Sequence, residues 1–175
     1  MPWRSSVRGV ELMPIKHIVT MGVAGCGKTT IGDELARRLG LPFFDGDDYH
    51  PSVNVEKMSA GIPLTDDDRG PWLSALCQVM QEHPSGSVIS CSALKRSYRD
   101  FLRQQPVTFV FLEVPESVIL ERVQSREHFF PESLVRDQFV SLEIPDETEA
   151  LCIDGCLGVD QICQKLVETF VDQAM

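Results

Sequence analysis

GVAGCGKT, residues 22–29, lies between an apolar run and an amphipathic one. It satisfies the pattern G-x-x-x-x-G-K-[ST] in full. Upstream, Ile15 to Met21 reads as a strand of apolar residues broken by single polar ones. Downstream, Thr29 to Leu39 places Ile31, Leu35, Ala36 and Leu39 on one helical face, and Gly40 suits the helix stop. In a strand–glycine loop–helix unit of this kind, backbone N–H groups turn inward around phosphate oxygens. The helix N-terminus adds positive potential there. Lys28 supplies a charge for the β- and γ-phosphates, and Thr29 a hydroxyl for Mg²⁺. Gly22, Gly25, Cys26, Gly27, Lys28, Thr29 and Thr30 are therefore the expected nucleotide positions. Cys26 is small enough to fit, and packing accounts for it better than redox chemistry.

Outward from this unit, strand and helix signals alternate. Pro42 to Phe44 is a short second strand, and Asn54 to Ala60 a short helix. Asp66 or Asp67 can cap a longer helix that runs to Glu82, with Pro71 tolerable in its first turn. Ser87 to Cys91 is a third strand, and Ser92 can cap a helix from Leu94 to Gln104. Val107 to Val114 is a β-branched fourth strand, and Pro115 opens a helix to about Ser125. Pro131 opens another, to about Leu142; Leu151 to Ile153 is a last strand and Val159 to Val171 the closing helix. Such alternation predicts one α/β domain with a parallel sheet covered on both faces.

Composition narrows the function. The chain has 175 residues, 43% hydrophobic and 24% charged, as expected for a single globular domain. Its formal net charge of −10 argues against nucleic acid or an anionic membrane as partner. An anionic ligand must then be captured by locally placed Lys and Arg. Cysteines at 26, 77, 91, 152, 156 and 163 form no C-x-x-C pair, and histidines 17, 50, 83 and 128 do not fall at zinc-ligand spacings beside them. Idle thiols in a reducing cytoplasm are expected. Residues 1–14, MPWRSSVRGVELMP, read as a flexible extension rather than a transit peptide.

FFDGDDYH, residues 43–50, packs three carboxylates into four positions. Alone it would read as a solvated turn; close behind a phosphate loop it reads as part of a site. The third strand ends in Ser92 with no acid, so the carboxylates must come from the second. In an extended stretch Asp45 and Asp47 share one face. With the second strand beside the first, both reach the space before a γ-phosphate. Asp45 would then support Mg²⁺ through water, and Asp47 would accept a hydrogen bond from an acceptor hydroxyl.

DGDDYHP (45–51), NVEKMSAGIPLTDDDRGPWL (54–73), CSALKRSYRD (91–100) and REHFF (126–130) together resemble the small P-loop gluconokinases, relatives of the shikimate and nucleoside-monophosphate kinases. The resemblance covers about residues 15–155. It implies a five-stranded parallel sheet ordered 2-3-1-4-5, a mobile lid over about 122–133, and usually a homodimer. It further implies ATP- and Mg²⁺-dependent phosphorylation of D-gluconate on its 6-hydroxyl, feeding the pentose phosphate pathway. Carried onto this chain, it makes Asp47 the acid that holds the acceptor hydroxyl and places His50 within reach of a polyol. Arg69 becomes the partner of the substrate carboxylate, since a planar fork suits it. The alternative for Arg69 is a structural ion pair with Asp66, Asp67 or Asp68. Lys57 is either an anion contact or a solvated helix charge.

Lys95 and Arg99 are four apart, hence on one helix face, and either is a candidate for gluconate or the transferring phosphate. A merely charged face is the alternative. Arg96 and Arg103 look solvent-facing. In the lid, the resemblance places Arg122 nearer the adenine and Arg126 nearer the phosphates, as a catalytic charge, with His128 a substrate contact. Glu127 stands where the family usually has a basic-glycine pair. Trp72, Phe129 and Phe130 either line the pocket or pack. The rivals are a shikimate or other small-polyol kinase, disfavoured by CSALK where shikimate kinases carry a glycine-rich turn, and a nucleotide-dependent switch that transfers nothing.

Overall fold

The structure, a computed structural model, describes residues 16–125 and 131–174. Five parallel strands form one sheet: β1 (His17–Met21), β2 (Phe43–Asp45), β3 (Ser87–Ser90), β4 (Val107–Glu113) and β5 (Ala150–Asp154). Their order is β2-β3-β1-β4-β5, as the resemblance implied. Helices α1 (Lys28–Leu39), α2 (Ser52–Ser59), α3 (Asp66–Glu82), α4 (Arg96–Leu102), α5 (Glu116–Gln124), α6 (Glu132–Ser141) and α7 (Val159–Ala174) connect and follow them.

The central strands are buried on both faces, so their apolar residues alternate between two cores. Ile18, Val110 and Leu112 face α1, α5 and α7 through Leu35, Ile119, Ile162 and Leu166. Val19, Met21, Ile89, Phe109 and Phe111 face α3 and α4 through Trp72, Leu76, Met80, Tyr98 and Leu102. Trp72 is therefore core, and its indole N–H donates to the Gly46 carbonyl at 2.7 Å.

Four local expectations need correction. The cap of α3 is Thr65, not Asp66 or Asp67: its hydroxyl accepts from the Asp68 N–H while Asp68 accepts from the Thr65 N–H, a reciprocal capping box. Pro71 accordingly sits beyond the first turn. Ser92 caps nothing; α4 begins only at Arg96, with Lys95 at its N-cap. The chain also leaves the extended conformation at Asp45, and Gly46–Tyr49 is a short 3-10 helix. Asp45 and Asp47 are thus related by a helical turn rather than a strand face. Finally, β2 is separated from β1 by β3.

Two glycines make the acid cluster and the phosphate loop meet despite that separation. A Cβ on Gly32 would lie 2.7 Å from the Phe43 ring and 2.9 Å from Thr20 Oγ1, so α1 presses directly onto the sheet between β1 and β2. A Cβ on Gly46 would lie 2.1 Å from the Ser90 carbonyl oxygen, a backbone atom that cannot step aside. Gly46→Ala is expected to cost about 3 kcal/mol and lower Tm by about 6–12 °C. Calorimetry of the purified variant checks this; an unchanged Tm would mean that the β2 edge yields freely.

Candidate active site

Strand order brings the loops after β1, β2 and β3 to one sheet edge, outside the carboxyl ends of the strands, where ligands of open α/β sheets bind. The phosphate loop is built on left-handed glycines, with φ of 145° at Gly22, 82° at Gly25 and 97° at Gly27. It is held from several sides. Thr20 Oγ1 donates to the Lys28 carbonyl at 2.8 Å. Arg122 donates to the carbonyls of Gly25 and Cys26 at 3.3 and 3.4 Å, and its other amino group reaches the Gly155 carbonyl at 3.1 Å. Holding those carbonyls leaves N–H groups of the loop such as those of Gly25, Gly27 and Lys28 for a ligand, whereas the Gly22, Ala24 and Cys26 N–H groups are taken within the fold. Lys28 Nζ stays close by, 3.5 Å from the Val23 carbonyl. Cys26 is buried beneath the loop, consistent with packing.

Asp45 connects this loop to the acid cluster. Its Oδ2 accepts from Thr29 Oγ1 at 3.3 Å, and its Oδ1 accepts from the Asp47 N–H at 3.0 Å and Ser90 Oγ at 3.1 Å. Asp47 is exposed, and its carboxylate has no hydrogen-bond partner among the described residues. Cys91, just after β3, is buried. Burial pushes its thiol up to about 12; the backbone at Ala93 opposes that shift, the Asp47 charge reinforces it, and Lys28 and Arg69 oppose it.

His50 lies flat on Trp72, with ring centroids 4.3 Å apart and planes 13° from parallel. Burial holds its imidazole below its ordinary pKa, with Asp47 working against that shift and Arg69 adding to it. The Asn54 side-chain nitrogen sits 3.3 Å from Nδ1 and also donates to the Asp68 carbonyl at 2.8 Å. An amide donor at Nδ1 assigns the proton of the neutral ring to Nε2, which leaves a donor for a ligand.

The cations sort themselves by partner. Lys57 pairs with Asp68 at 2.7 Å and is structural. Lys95 pairs with Asp66 at 2.7 Å, and the same carboxylate accepts from the Tyr98 hydroxyl. Arg69 takes neither acid. It donates to the Leu64 carbonyl at 2.5 Å and lies over the Tyr98 ring at 5.5 Å, with no carboxylate partner among the described residues.

Arg99 does not line the site. It is 0% exposed, and its guanidinium donates to the carbonyls of Ala93, Leu94 and Glu143. Because Lys95 precedes α4, the expected shared helix face with Arg99 does not exist. Arg96 is exposed as expected, whereas Arg103 is partly covered and lies over Phe109. Arg126, Glu127, His128, Phe129 and Phe130 lie outside the described residues, as do residues 1–15. Gln138 is an addition that sequence reasoning missed: its Oε1 accepts the Ala24 N–H at 2.7 Å, from 114 residues away. No local pattern marks that contact.

A glycine phosphate loop, a hydroxyl and a carboxylate facing each other beside it, and this strand order define a P-loop kinase. The shikimate kinase family model matches residues 24–168. The chain is 46% identical to the gluconokinase of Gluconobacter oxydans (strain 621H), over 89% of this chain and 91% of that protein. It is 42% identical to the thermoresistant gluconokinase of Escherichia coli (strain K12), over 89% and 92%. The crystal structure of a gluconokinase from Sinorhizobium meliloti 1021 superposes with a TM-score of 0.84 at 44% identity, covering 92% and 94% of the two chains. The chain belongs to the gluconokinase family, within the wider shikimate kinase family. It is a kinase, and its P-loop family uses ATP.

Proposed function

We propose that this protein transfers the γ-phosphoryl group of ATP to the 6-hydroxyl of D-gluconate, giving 6-phospho-D-gluconate and ADP. The observation that carries the reading is Arg69, which among the described residues has no acidic partner, while its neighbours Lys57 and Lys95 are neutralised. A forked guanidinium suits the carboxylate at one end of an acidic sugar, and the exposed carboxylate of Asp47, unpaired among the described residues, suits the hydroxyl at the other.

In this reading the loop amides and Lys28 bind the phosphates, and Arg69 holds the gluconate carboxylate. His50 donates Nε2–H to a polyol hydroxyl. Asp47 accepts the hydrogen bond of the 6-hydroxyl, aligning its oxygen with the γ-phosphorus; in a loose transition state this contact mostly positions the nucleophile. The hydroxyl proton leaves through Asp47 as the new P–O bond forms and the bond to the ADP oxygen breaks. Thr29 and Asp45 present a hydroxyl and a carboxylate 3.3 Å apart, an all-oxygen pair that fits Mg²⁺ with waters and nucleotide phosphates as its other ligands. The cation would offset charge on the β- and γ-phosphates. Arg126 and His128 keep the lid roles that the family resemblance implies, and Arg122, which braces the loop, keeps the adenine-side role implied with them. A homodimer in the cytoplasm completes the proposal; no helix among the described residues is long and apolar enough to cross a membrane.

ADP formation with Mg²⁺, measured against gluconate, other aldonates, shikimate, nucleoside monophosphates and no acceptor, tests the reading. Gluconate-dependent turnover is expected. Preference for shikimate or a neutral polyol would move the pocket assignment, and acceptor-independent behaviour would favour a switch. Arg69→Met is expected to raise the gluconate KM about 10- to 100-fold with the ATP KM little changed. Steady-state kinetics at varied gluconate check this, and an unchanged gluconate KM would remove Arg69 from the carboxylate.

A further inference from the structure

Among the described residues, Ala93 is the non-glycine residue with positive φ, at 43°. It lies in the turn between β3 and α4 and is 0% exposed. Left-handed backbone is unfavourable for alanine, so something must hold it. The holder is Arg99. One amino group donates to the Ala93 and Leu94 carbonyls at 3.0 and 3.1 Å, and the other to the Glu143 carbonyl at 3.0 Å. The Leu94 carbonyl also accepts the Glu143 N–H at 2.9 Å. Arg99 Nε faces Glu149 Oε1 at 3.5 Å, and neither atom has a hydrogen-bond partner. A buried cation thus ties two carbonyls of the turn to the Glu143 carbonyl between α6 and β5, with a nearly buried carboxylate as its loose counter-charge.

That turn touches both halves of the site. Before it, the Ser92 carbonyl accepts the Gly22 N–H of the phosphate loop at 3.3 Å. After it, Lys95 and Tyr98 converge on Asp66, and Tyr98 lies beneath Arg69. We infer that Arg99 is a positioning residue for the acceptor: it locks the left-handed turn at Ala93, which sets Lys95 and Tyr98 against Asp66 and so places Arg69. The inference rests on reading this wall as the gluconate side. The phosphate loop has its own supports in Thr20, Arg122 and Gln138, so nucleotide binding depends on the turn far less.

The test is a mutant cycle on the full-length protein, using Arg99→Lys, Ala93→Gly and the double variant. Wild-type gluconate-dependent turnover is measured first, because its absence would remove the functional reading and not the turn's role. Arg99→Lys is expected to raise the gluconate KM about tenfold with the ATP KM within about twofold. Ala93→Gly on that background is expected to recover at least about threefold of the lost kcat/KM, because glycine adopts positive φ without support. A purely structural role would move both KM values together and gain nothing from a more flexible turn, and either result would overturn the inference. If Arg99→Lys does not fold, Arg99→Gln takes its place in the cycle: it removes the charge and keeps an amide donor for the turn, and it should raise the gluconate KM with the same rescue by Ala93→Gly. An unchanged gluconate KM there would also overturn it.

Discussion

Asp47→Asn is expected to lower kcat by at least about 100-fold while ATP binding survives. Asparagine keeps the shape and removes the charge, so the variant isolates what the carboxylate does. In the folded protein Asp47 is exposed and unpaired among the described residues, whereas Asp45 is engaged by Thr29, Ser90 and the Asp47 N–H. Loss of Asp47's charge therefore breaks no internal ion pair, and the fold should be untouched. On the proposed role, what is lost is the acceptor for the sugar hydroxyl proton and part of that oxygen's alignment. An amide can still turn its oxygen toward the hydroxyl, which is why the effect falls on turnover more than on gluconate KM. Turnover kinetics paired with equilibrium titration of ATP check both halves. Near-normal turnover would remove the assigned role and return Asp47 to the class of solvated turn acids.

Lys28→Met is the second large effect: transfer should fall by at least about 1,000-fold, with the gluconate KM little altered. Lys28 begins α1, and among the described residues its Nζ is tied only to the Val23 carbonyl at 3.5 Å, so the ammonium can follow the phosphates. The charge that spreads over the γ-phosphoryl oxygens in the transition state then has no counterpart at that position. A chain with a formal net charge of −10 offers little background attraction to replace it. Single-turnover measurements at saturating ATP separate this loss from weakened binding. Detectable wild-type rates would mean that the phosphates sit elsewhere.

Arg69 and Arg99 show where sequence reasoning reaches its limit. Both lie four positions or fewer from charged neighbours; the sequence made Arg69 the partner of a substrate carboxylate, with a structural ion pair as the alternative, and Arg99 a candidate ligand contact. Local spacing could not choose between contact and structural role for either. Lys57 of α2 and Lys95 beside α4 take the acids of the Thr65 capping box and first turn, leaving Arg69 available. Arg99 turns inward and binds the carbonyls of a left-handed turn at an alanine before it. Nothing in CSALKRSYRD announces that turn: it holds no glycine or proline, and its residues tolerate a helix.

The sequence by itself determined the phosphate loop, the alternation of strands and helices, and the acids ending β2, since these depend on local residue types and short periodicities. The resemblance of its motifs supplied strand order and substrate class. Only the tertiary structure decided how distant segments share charges: which carboxylate each lysine neutralises, that Asp45 reaches Thr29 across a strand, and that Gln138 braces the loop at Ala24. The physical reason is range. Backbone conformation and burial pattern arise over a few neighbouring residues, whereas partner choice among ionic groups is set by close contacts between elements that only the packed core brings together.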